Sequence, residues 1–299
     1  MADVPLRFEQ DASGAFAGVG VLWLDQPGRP VVVLDHPLML QIDRTVRALP
    51  RDLRGLVLAS ANARVFVAGA DLKAIAGFDD ASLHRYLEFG SNVFGLFAAL
   101  PFPTVAAING AALGGGLEIA MHCDGLVAAP SASGKPYPVG LPEAGLSICP
   151  GWGGTNLLPA RMDAAEAIRR TVRGTPMTFD EACSAGMFDE VAPTAEALLP
   201  TAKQWIVKAG TGSARRDGAP SRWIGRAAVA SRTLWALDEV RRELGGSEPA
   251  ESVLGAIEVG LTRGWKAALQ AERDSLVRLR NAPAGKAAIE AFLSKSAAR

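Results

Sequence analysis

Short apolar runs alternate with stretches of helical spacing in the first part of the chain. Val19–Leu24 and Gly55–Ser60 are apolar runs of strand length that end at turn-forming residues. Residues 37–49, which lie between them, have mixed helical spacing, and Thr104–Ile108 has the composition of a third, buried strand. This alternation predicts an α/β fold.

Longer helical patterns follow these strands. Apolar residues recur every three or four positions over residues 83–100, and Pro101 and Pro103 end the pattern. A new helix is predicted to begin at about Gly115, and residues 164–172 repeat the helical spacing. The chain beyond residue 221 is predicted to be helical, with a break at residues 245–249.

The simplest domain division places a strand-rich core in residues 1–200 and a helical C-terminal region in residues 201–299. Residues 210–221 combine glycine, serine and proline with charged residues, so they are the best candidate for a linker.

Composition and charge favour an enzyme that acts on a small molecule. The 299 residues are 49% hydrophobic, which is enough to bury a large core. Lysine plus arginine and aspartate plus glutamate both total 31, so no net charge attracts nucleic acid or an anionic membrane. We expect neither export nor membrane insertion, since the sequence has no signal-like start and no long apolar run. A cytoplasmic location is the resulting prediction.

The cysteines and histidines give little sign of a metal site. Cys123, Cys149 and Cys183 are scattered and odd in number, which favours reduced thiols and excludes a zinc-type spacing. His122 lies four residues after Glu118, but we expect it to be a packing residue. No metal ligand set is predicted.

The candidate chemistry lies in glycine-rich turns beside acidic residues. Glu118 follows the turn of residues 109–116, Glu143 follows Gly140 and Pro142, and residues 66–73 form a third such segment. Exposed backbone amides beside a carboxylate suit a reaction in which negative charge grows on an oxygen while a proton moves. The amides of Ala70 and Gly115 are the natural pair of donors for an enolate oxygen.

Each glutamate also has a purely structural interpretation. Glu118 lies one turn into the helix begun by Gly115, where it would face the same cavity or simply interact with the helix dipole. Glu143 could equally be a loop or helix-cap acid, and spacing alone does not place it near Glu118. The occurrence of three such segments in order, each beside a predicted strand end, favours a site.

Together these segments resemble the crotonase superfamily, the fold of the enoyl-CoA hydratases, over about residues 18–191. The resemblance implies a spiral of ββα units with a helical C-terminal part. It also implies that Glu118 and Glu143 flank one catalytic water and that the Ala70 and Gly115 amides form the oxyanion hole. The remaining positions that match family residues at the substrate are Ala68, Asp71, Leu72, Lys73, Gly114 and Gly151.

Members of the superfamily that only shift double bonds commonly lack a counterpart of Glu118. Because both glutamates are present, the resemblance favours syn addition of water to a trans-2-enoyl-CoA, giving a 3-hydroxyacyl-CoA. An enoyl-CoA isomerase and a non-catalytic acyl-CoA-binding scaffold remain alternatives. The resemblance further implies no cofactor other than the coenzyme A of the substrate, and trimers or dimers of trimers in which residues 201–299 cover the pocket or the interface.

The C-terminal region narrows the resemblance to the hydratase part of multifunctional fatty-acid oxidation enzymes. No Gly-x-Gly-x-x-Gly turn is present, so the dehydrogenase of those enzymes is expected to be absent or on another chain. From Leu261 onward the sequence contains eight basic and three acidic residues. This positive charge would suit either the phosphates of coenzyme A or a solvated helix face.

Two departures from the family pattern stand out. Residues 130–138 belong to an insertion of about five residues, which we expect to reshape the acyl pocket. Residues 31–35 lack the asparagine-containing turn that family members have near coenzyme A.

Overall fold

The computed structural model describes residues 4–210 and 217–297. The strands in these residues are β1 (Phe8–Gln10), β2 (Val19–Leu24), β3 (Gly55–Ser60), β4 (Val65–Val67), β5 (Thr104–Ile108), β6 (Ala111–Leu113), β7 (Gly125–Ala128), β8 (Pro138–Gly140), β9 (Met177–Thr178) and β10 (Glu190–Val191). The α-helices are α1 (His36–Arg47), α2 (Leu72–Gly77), α3 (Asp80–Ala99), α4 (Gly115–Met121), α5 (Gly154–Leu157), α6 (Ala164–Arg173), α7 (Phe179–Ser184), α8 (Leu198–Ala209), α9 (Ala227–Leu244), α10 (Glu248–Arg263), α11 (Trp265–Asn281) and α12 (Pro283–Ala297). Two short 3-10 helices, Glu143–Leu146 and Leu158–Ala160, complete the description.

The backbone packs into two compact units that interleave along the sequence. Among the described residues, the first unit contains residues 4–69, 92–139, 177–210 and 217–221. The second contains residues 70–91, 140–176 and 222–297. Much of the predicted linker, residues 211–216, lies outside the described residues. The boundary at residue 200 and the covering role of the C-terminal region stay predictions.

A six-stranded sheet forms the centre of the first unit, in the order β1-β2-β3-β5-β7-β10. Strand β1 is antiparallel to β2, and the other neighbours are parallel. Every residue of β3, β5 and β7 is buried, as expected for parallel strands covered on both faces. Helix α8 packs on these three strands, and Ile206 joins Val57, Val105 and Val127 in one apolar cluster.

A smaller sheet in the order β4-β6-β8-β9 carries the glycine-rich segments of the first unit. Strand β4 runs parallel to β6, with Val65 beside Ala111, whereas β8 runs antiparallel to β9. Its strands have only two or three residues, which is too short for a recognisable alternation of apolar and polar positions.

The second unit is mainly helical, and its helix ends follow local sequence signals. Helix α6 begins at Asp163, whose side chain accepts a hydrogen bond from the Glu166 amide. Helix α10 begins in the same way at Ser247 and has Pro249 in its first turn. Helices α10 and α11 pack along each other, and α6 packs on α9.

The long patterns in the sequence give the correct elements. The predicted strands 19–24, 55–60 and 104–108 coincide with β2, β3 and β5, and the helix predicted over residues 83–100 is α3. The predicted break at residues 245–249 separates α9 from α10. Sequence periodicity is reliable here because these elements are long enough to show it.

Candidate active site

Glu118 lies on α4 in the first unit and is almost fully buried. All seven residues of α4 are buried, and Glu118 is only 1% exposed. The N-cap residue of the helix is Gly114, whose carbonyl accepts hydrogen bonds of 2.9 Å from the amides of Leu117 and Glu118. Gly114, Gly115 and Glu118, three of the predicted site residues, therefore lie in the first turn of one helix.

Close backbone packing fixes this turn against β4. A Cβ atom added to Gly116 would lie 2.2 Å from the carbonyl oxygen of Val67, which is closer than atoms approach in proteins. Glycine at residue 116 therefore allows α4 to pack directly on the strand that leads into Ala68. The structure thus brings Ala68, Gly114, Gly115 and Glu118 into one neighbourhood of the first unit.

The segment that lacks the family's asparagine is tied to the same neighbourhood. The Ala68 amide donates to the Val32 carbonyl at 2.8 Å, and the Leu34 amide donates to the Gly69 carbonyl at 2.9 Å. Asp35 then caps α1 by accepting from the Leu38 amide at 2.8 Å. Backbone pairing and this cap hold residues 31–35 without an asparagine-containing turn.

His122 is buried at the end of α4. Its Nδ1 atom lies 2.9 Å from the carbonyl oxygen of Glu118, and its ring meets Phe94 edge-on with centroids 5.6 Å apart. These contacts agree with the expected packing role, since they join α4 to α3 within the first unit.

Ala70, Asp71, Leu72 and Lys73 belong to the second unit, at the start of α2. The Asp71 carboxylate accepts a hydrogen bond of 3.0 Å from the Ala74 amide, so it caps the helix that follows Ala70. Lys73 is exposed, and Leu72 is half-buried. Their contacts with a substrate stay predictions.

Glu143 is the first residue of the 3-10 helix Glu143–Leu146 in the second unit. This helix has no fully buried residue, and Glu143 is half-buried. The Ile148 amide donates to the Glu143 carbonyl at 3.1 Å, and Ser147 takes a left-handed conformation with φ of 57°. A non-glycine residue with this φ costs conformational energy, so the surrounding packing must hold the turn.

The glycine-rich turn after Glu143 is held by a residue that the sequence did not single out. Glu272 of α11 is fully buried and accepts hydrogen bonds from the Gly153 amide at 2.5 Å and from the Thr155 amide at 2.9 Å. Its carboxylate also accepts from the Thr155 hydroxyl at 2.5 Å. In the sequence, Glu272 was only one of three acids in a basic region. An acid on the apolar face of an amphipathic helix was the signal that would have found it.

Trp152 anchors the same turn from the other side. Its Nε1 atom donates to the Leu87 carbonyl at 2.9 Å, and its ring lies 5.7 Å from that of Tyr86. The backbone of Gly151, the predicted substrate contact, is therefore flanked by one residue bound to α3 and a segment bound to α11.

The parallel sheet with a buried glutamate behind glycines in the first unit matches the pattern of the crotonase superfamily. Residues 17–214 match the family model described as enoyl-CoA hydratase/isomerase. The chain belongs to that family.

Relatives and solved structures agree with this assignment. The chain is 32% identical over 269 residues to the fatty acid oxidation complex subunit alpha of Shewanella loihica. That match covers 85% of this chain but only 36% of the relative, so the chain spans about a third of its length.

Two solved structures share the fold over almost the whole chain. The human mitochondrial delta3-delta2-enoyl-CoA isomerase has a TM-score of 0.69 at 21% identity, covering 98% of both chains. An enoyl-CoA hydratase from Mycobacterium avium subsp. paratuberculosis has a TM-score of 0.64 at 20% identity, covering 98% of this chain and 96% of the other. The predicted crotonase fold is confirmed, and the fold is common to a hydratase and an isomerase.

Two features of residues 4–210 and 217–297 concern membrane insertion and metal binding. No helix there is long and apolar enough to cross a membrane. No group of three or more histidine, cysteine, aspartate or glutamate side chains there is arranged to hold a metal ion. The metal-free reaction, the trimeric assembly and the cytoplasmic location stay predictions.

Proposed function

We propose that this protein is an enoyl-CoA hydratase that adds water to a trans-2-enoyl-CoA. The water oxygen bonds to the β-carbon, and a proton is added to the α-carbon, so the product is a 3-hydroxyacyl-CoA. The observation that supports the proposal is the presence of two glutamates, Glu118 and Glu143, each in the first turn of a helix that contains glycine.

The first requirement of this reaction is to stabilise an enolate oxygen. Attack at the β-carbon pushes negative charge onto the thioester oxygen, and a preorganised amide donor there is worth about 3–4 kcal/mol. The Ala70 and Gly115 amides are the proposed donors. Gly115 begins α4, where the helix dipole adds positive potential.

The second requirement is proton transfer at two places. We assign removal of the water proton to Glu118 and protonation of the α-carbon to Glu143, because the two steps need separate carboxyl groups. An isomerase that only moves a proton between carbons needs one such group, so both glutamates are expected only for hydration.

The first experiment is an assay of the purified protein with crotonyl-CoA, followed by loss of the conjugated-thioester absorbance. Hydration by the wild-type protein, unchanged after EDTA dialysis, is the expected result. Shift of the double bond of a 3-enoyl-CoA without any hydration would instead identify an isomerase. Binding of butyryl-CoA with neither reaction would identify a scaffold that only binds acyl-CoA.

A matched pair of variants separates chemistry from folding. Glu118→Gln keeps the size of the buried side chain, and Glu196→Gln changes an exposed glutamate of the same unit. We expect hydration to be lost in the first variant and retained in the second, with both proteins folded. Wild-type hydration in a folded Glu118→Gln protein contradicts the mechanism.

A further inference from the structure

Helix α11 carries two buried charged residues on one side. Glu272 is fully buried, and Arg280 is 5% exposed. They are eight residues apart with Leu276 midway, and positions four apart lie on the same face of an α-helix. All three side chains point into the second unit.

Glu272 accepts hydrogen bonds from backbone amides at the start of α5. The amides of Gly153 and Thr155 are among the first donors of that helix, which have no partner inside it. Usually a neighbouring cap residue fills this role, but Gly153 has no side chain that could do so. The conformation of the turn that presents Gly151 therefore depends on a carboxylate 117 and 119 residues away in sequence.

Leu276 lies directly behind Gly151. A Cβ atom added to Gly151 would be 3.0 Å from Leu276 Cδ1 and 3.1 Å from Leu87 Cδ2. Two leucines thus form a tight apolar support for the Gly151 backbone, and a side chain there would have to displace them.

Arg280 holds the other predicted site segment of this unit. Its Nη1 atom donates to the carbonyls of Ile75 and Phe78 at 2.9 and 2.6 Å, and its Nη2 atom donates to Asp80 at 2.6 Å. Ile75 and Phe78 lie at the end of α2, the helix that starts directly after Ala70 and Asp71, and Asp80 is the first residue of α3. A cation that binds the last carbonyls of a helix stabilises and fixes that end.

We propose that Glu272 and Arg280 are positioning residues for the reaction, Glu272 through the Gly151 turn and Arg280 through α2 and the Ala70 amide. The inference rests on the proposed function for its catalytic consequence. Its structural half, that each residue fixes a different segment, stands independently.

The test uses three substitutions on one helix. Glu272→Gln replaces one acceptor oxygen with an NH₂ donor, so the amide can no longer accept from all three partners. Arg280→Met keeps an unbranched apolar stem in place of the aliphatic part of the arginine but removes the guanidinium donors. Asp274→Asn is the matched control, since Asp274 lies on the same helix with 58% of its side chain exposed.

Hydrogen exchange of the full-length variants measures the structural half. We expect Glu272→Gln to speed amide exchange in residues 150–157 and leave residues 72–80 at the wild-type rate. Arg280→Met should give the opposite pattern, and Asp274→Asn should change neither segment. Equal acceleration throughout the protein, or no change in either segment, overturns the proposal.

Kinetics measure the catalytic half at a temperature where every variant is folded. Because a small misplacement of a site can cost about a hundredfold, we expect kcat/KM for crotonyl-CoA to fall about 10- to 100-fold in Glu272→Gln and in Arg280→Met. Thr155→Val added to Glu272→Gln should cost little more than Glu272→Gln alone, since both act through one turn. A lower Tm with unchanged kcat/KM would show a merely structural role and would overturn the catalytic half.

A wild-type protein without turnover would refute the proposed function and the catalytic half together. The exchange pattern would still decide the structural half, because it requires no substrate. The two failures are therefore distinguishable.

Discussion

The two proposed catalytic glutamates lie in different kinds of helix. Glu118 is 1% exposed in a helix whose every residue is buried. Glu143 is half-buried in a 3-10 helix with no fully buried residue, followed by the left-handed Ser147. The helix of the first glutamate packs on strands of the first unit, whereas the 3-10 helix of the second packs on helices of the second unit.

The two glutamate segments of this protein are therefore supported by different kinds of secondary structure. The Glu118 turn contains Gly114 and Gly116 and packs on β4, and α4 also contacts β5, β6 and β7. The 3-10 helix of Glu143 contacts α6, α10 and α12, and the following Gly151 turn is bound by Glu272 of α11. Changes in the C-terminal helices should therefore affect the Glu143 segment through its support.

The largest effect is expected when each of the two carboxylates is replaced in turn. We expect Glu118→Gln to stop hydration but leave some isomerisation of a 3-enoyl-CoA, because isomerisation needs only proton movement at carbon. Glu143→Gln should abolish both reactions. General acid-base groups contribute about a hundred- to ten-thousand-fold to the rate, and absorbance assays with both substrates measure this loss.

The result is informative only for folded proteins. Melting temperatures close to that of the wild-type protein are the control, since glutamine keeps the shape of both side chains. Equal loss of both reactions in both variants would contradict the division of roles and would leave the two glutamates acting as one unit.

The sequence predicted the Glu118 segment better than the segment around Glu143 and Gly151. Long apolar runs located β2, β3 and β5, and the glycine pattern located α4 with Glu118. The short strands of the second sheet and the role of Glu272 were missed. No local pattern encodes a hydrogen bond between Gly153 and a residue 119 positions later. The turn after Gly69 suggested the Ala70 amide as a donor, but the pairing of Glu143 with Glu118 and the role of Gly151 came from the family resemblance alone.

The second prediction concerns glycine in the two segments. Gly116→Ala should destabilise the protein by about 3 kcal/mol, the upper range for overpacking, because its Cβ would lie 2.2 Å from a backbone oxygen. Gly145→Ala beside Glu143 should cost less than about 1 kcal/mol, since its Cβ would be 3.3 Å from the nearest atom. Urea unfolding of both variants measures the difference.

A helical glycine in open space provides the control. Among the described residues, no atom beyond the chain neighbours and backbone of α3 itself lies within 4 Å of an added Cβ at Gly95, so Gly95→Ala should stabilise the protein by about 0.5–1 kcal/mol. Equal costs for Gly116→Ala and Gly145→Ala would show that the Glu118 turn is no more tightly packed than the Glu143 turn.

The third prediction concerns the insertion between the two glutamates. The Tyr137 hydroxyl donates to the Ala129 carbonyl at 2.8 Å, and its ring lies 5.0 Å from that of Phe179. Tyr137→Phe should cost about 1 kcal/mol, since it leaves a buried carbonyl without this donor. Thermal unfolding measures the loss.

The pH dependence gives an independent check on Tyr137. Burial raises the pKa of Tyr137 well above its ordinary value of 10.0. The folded state therefore favours the neutral phenol, and stability should fall as the pH rises above 10.0, where the unfolded phenol ionises. Tyr137→Phe should remove this part of the alkaline destabilisation, and an identical alkaline profile would contradict the assigned burial.

The smallest expected effect lies in the support of the Glu143 unit, where α6 meets α9. Arg169 pairs with Glu239 and, at 2.7 Å, with Glu243, and Arg173 bonds Glu243 at 3.1 Å. The hydrogen bond from Arg169 is the main cause that lowers the pKa of Glu243 below its ordinary value of 4.5. A lowered pKa means that the ionised form is favoured in the folded protein, so this contribution is complete above pH 4.5 and is lost as the pH falls through the folded pKa.

Glu243→Gln should therefore lower the Tm slightly at pH 7 and less at pH 3. Because exposed ion pairs are screened by salt, the shift at pH 7 should shrink at high ionic strength. Differential scanning calorimetry at both pH values measures it, with Glu258→Gln at the α9–α10 pair of Arg241 as the matched exposed control. A loss of hydration in Glu243→Gln at unchanged Tm would show that these distant helices act on the Glu143 segment in some way other than through stability.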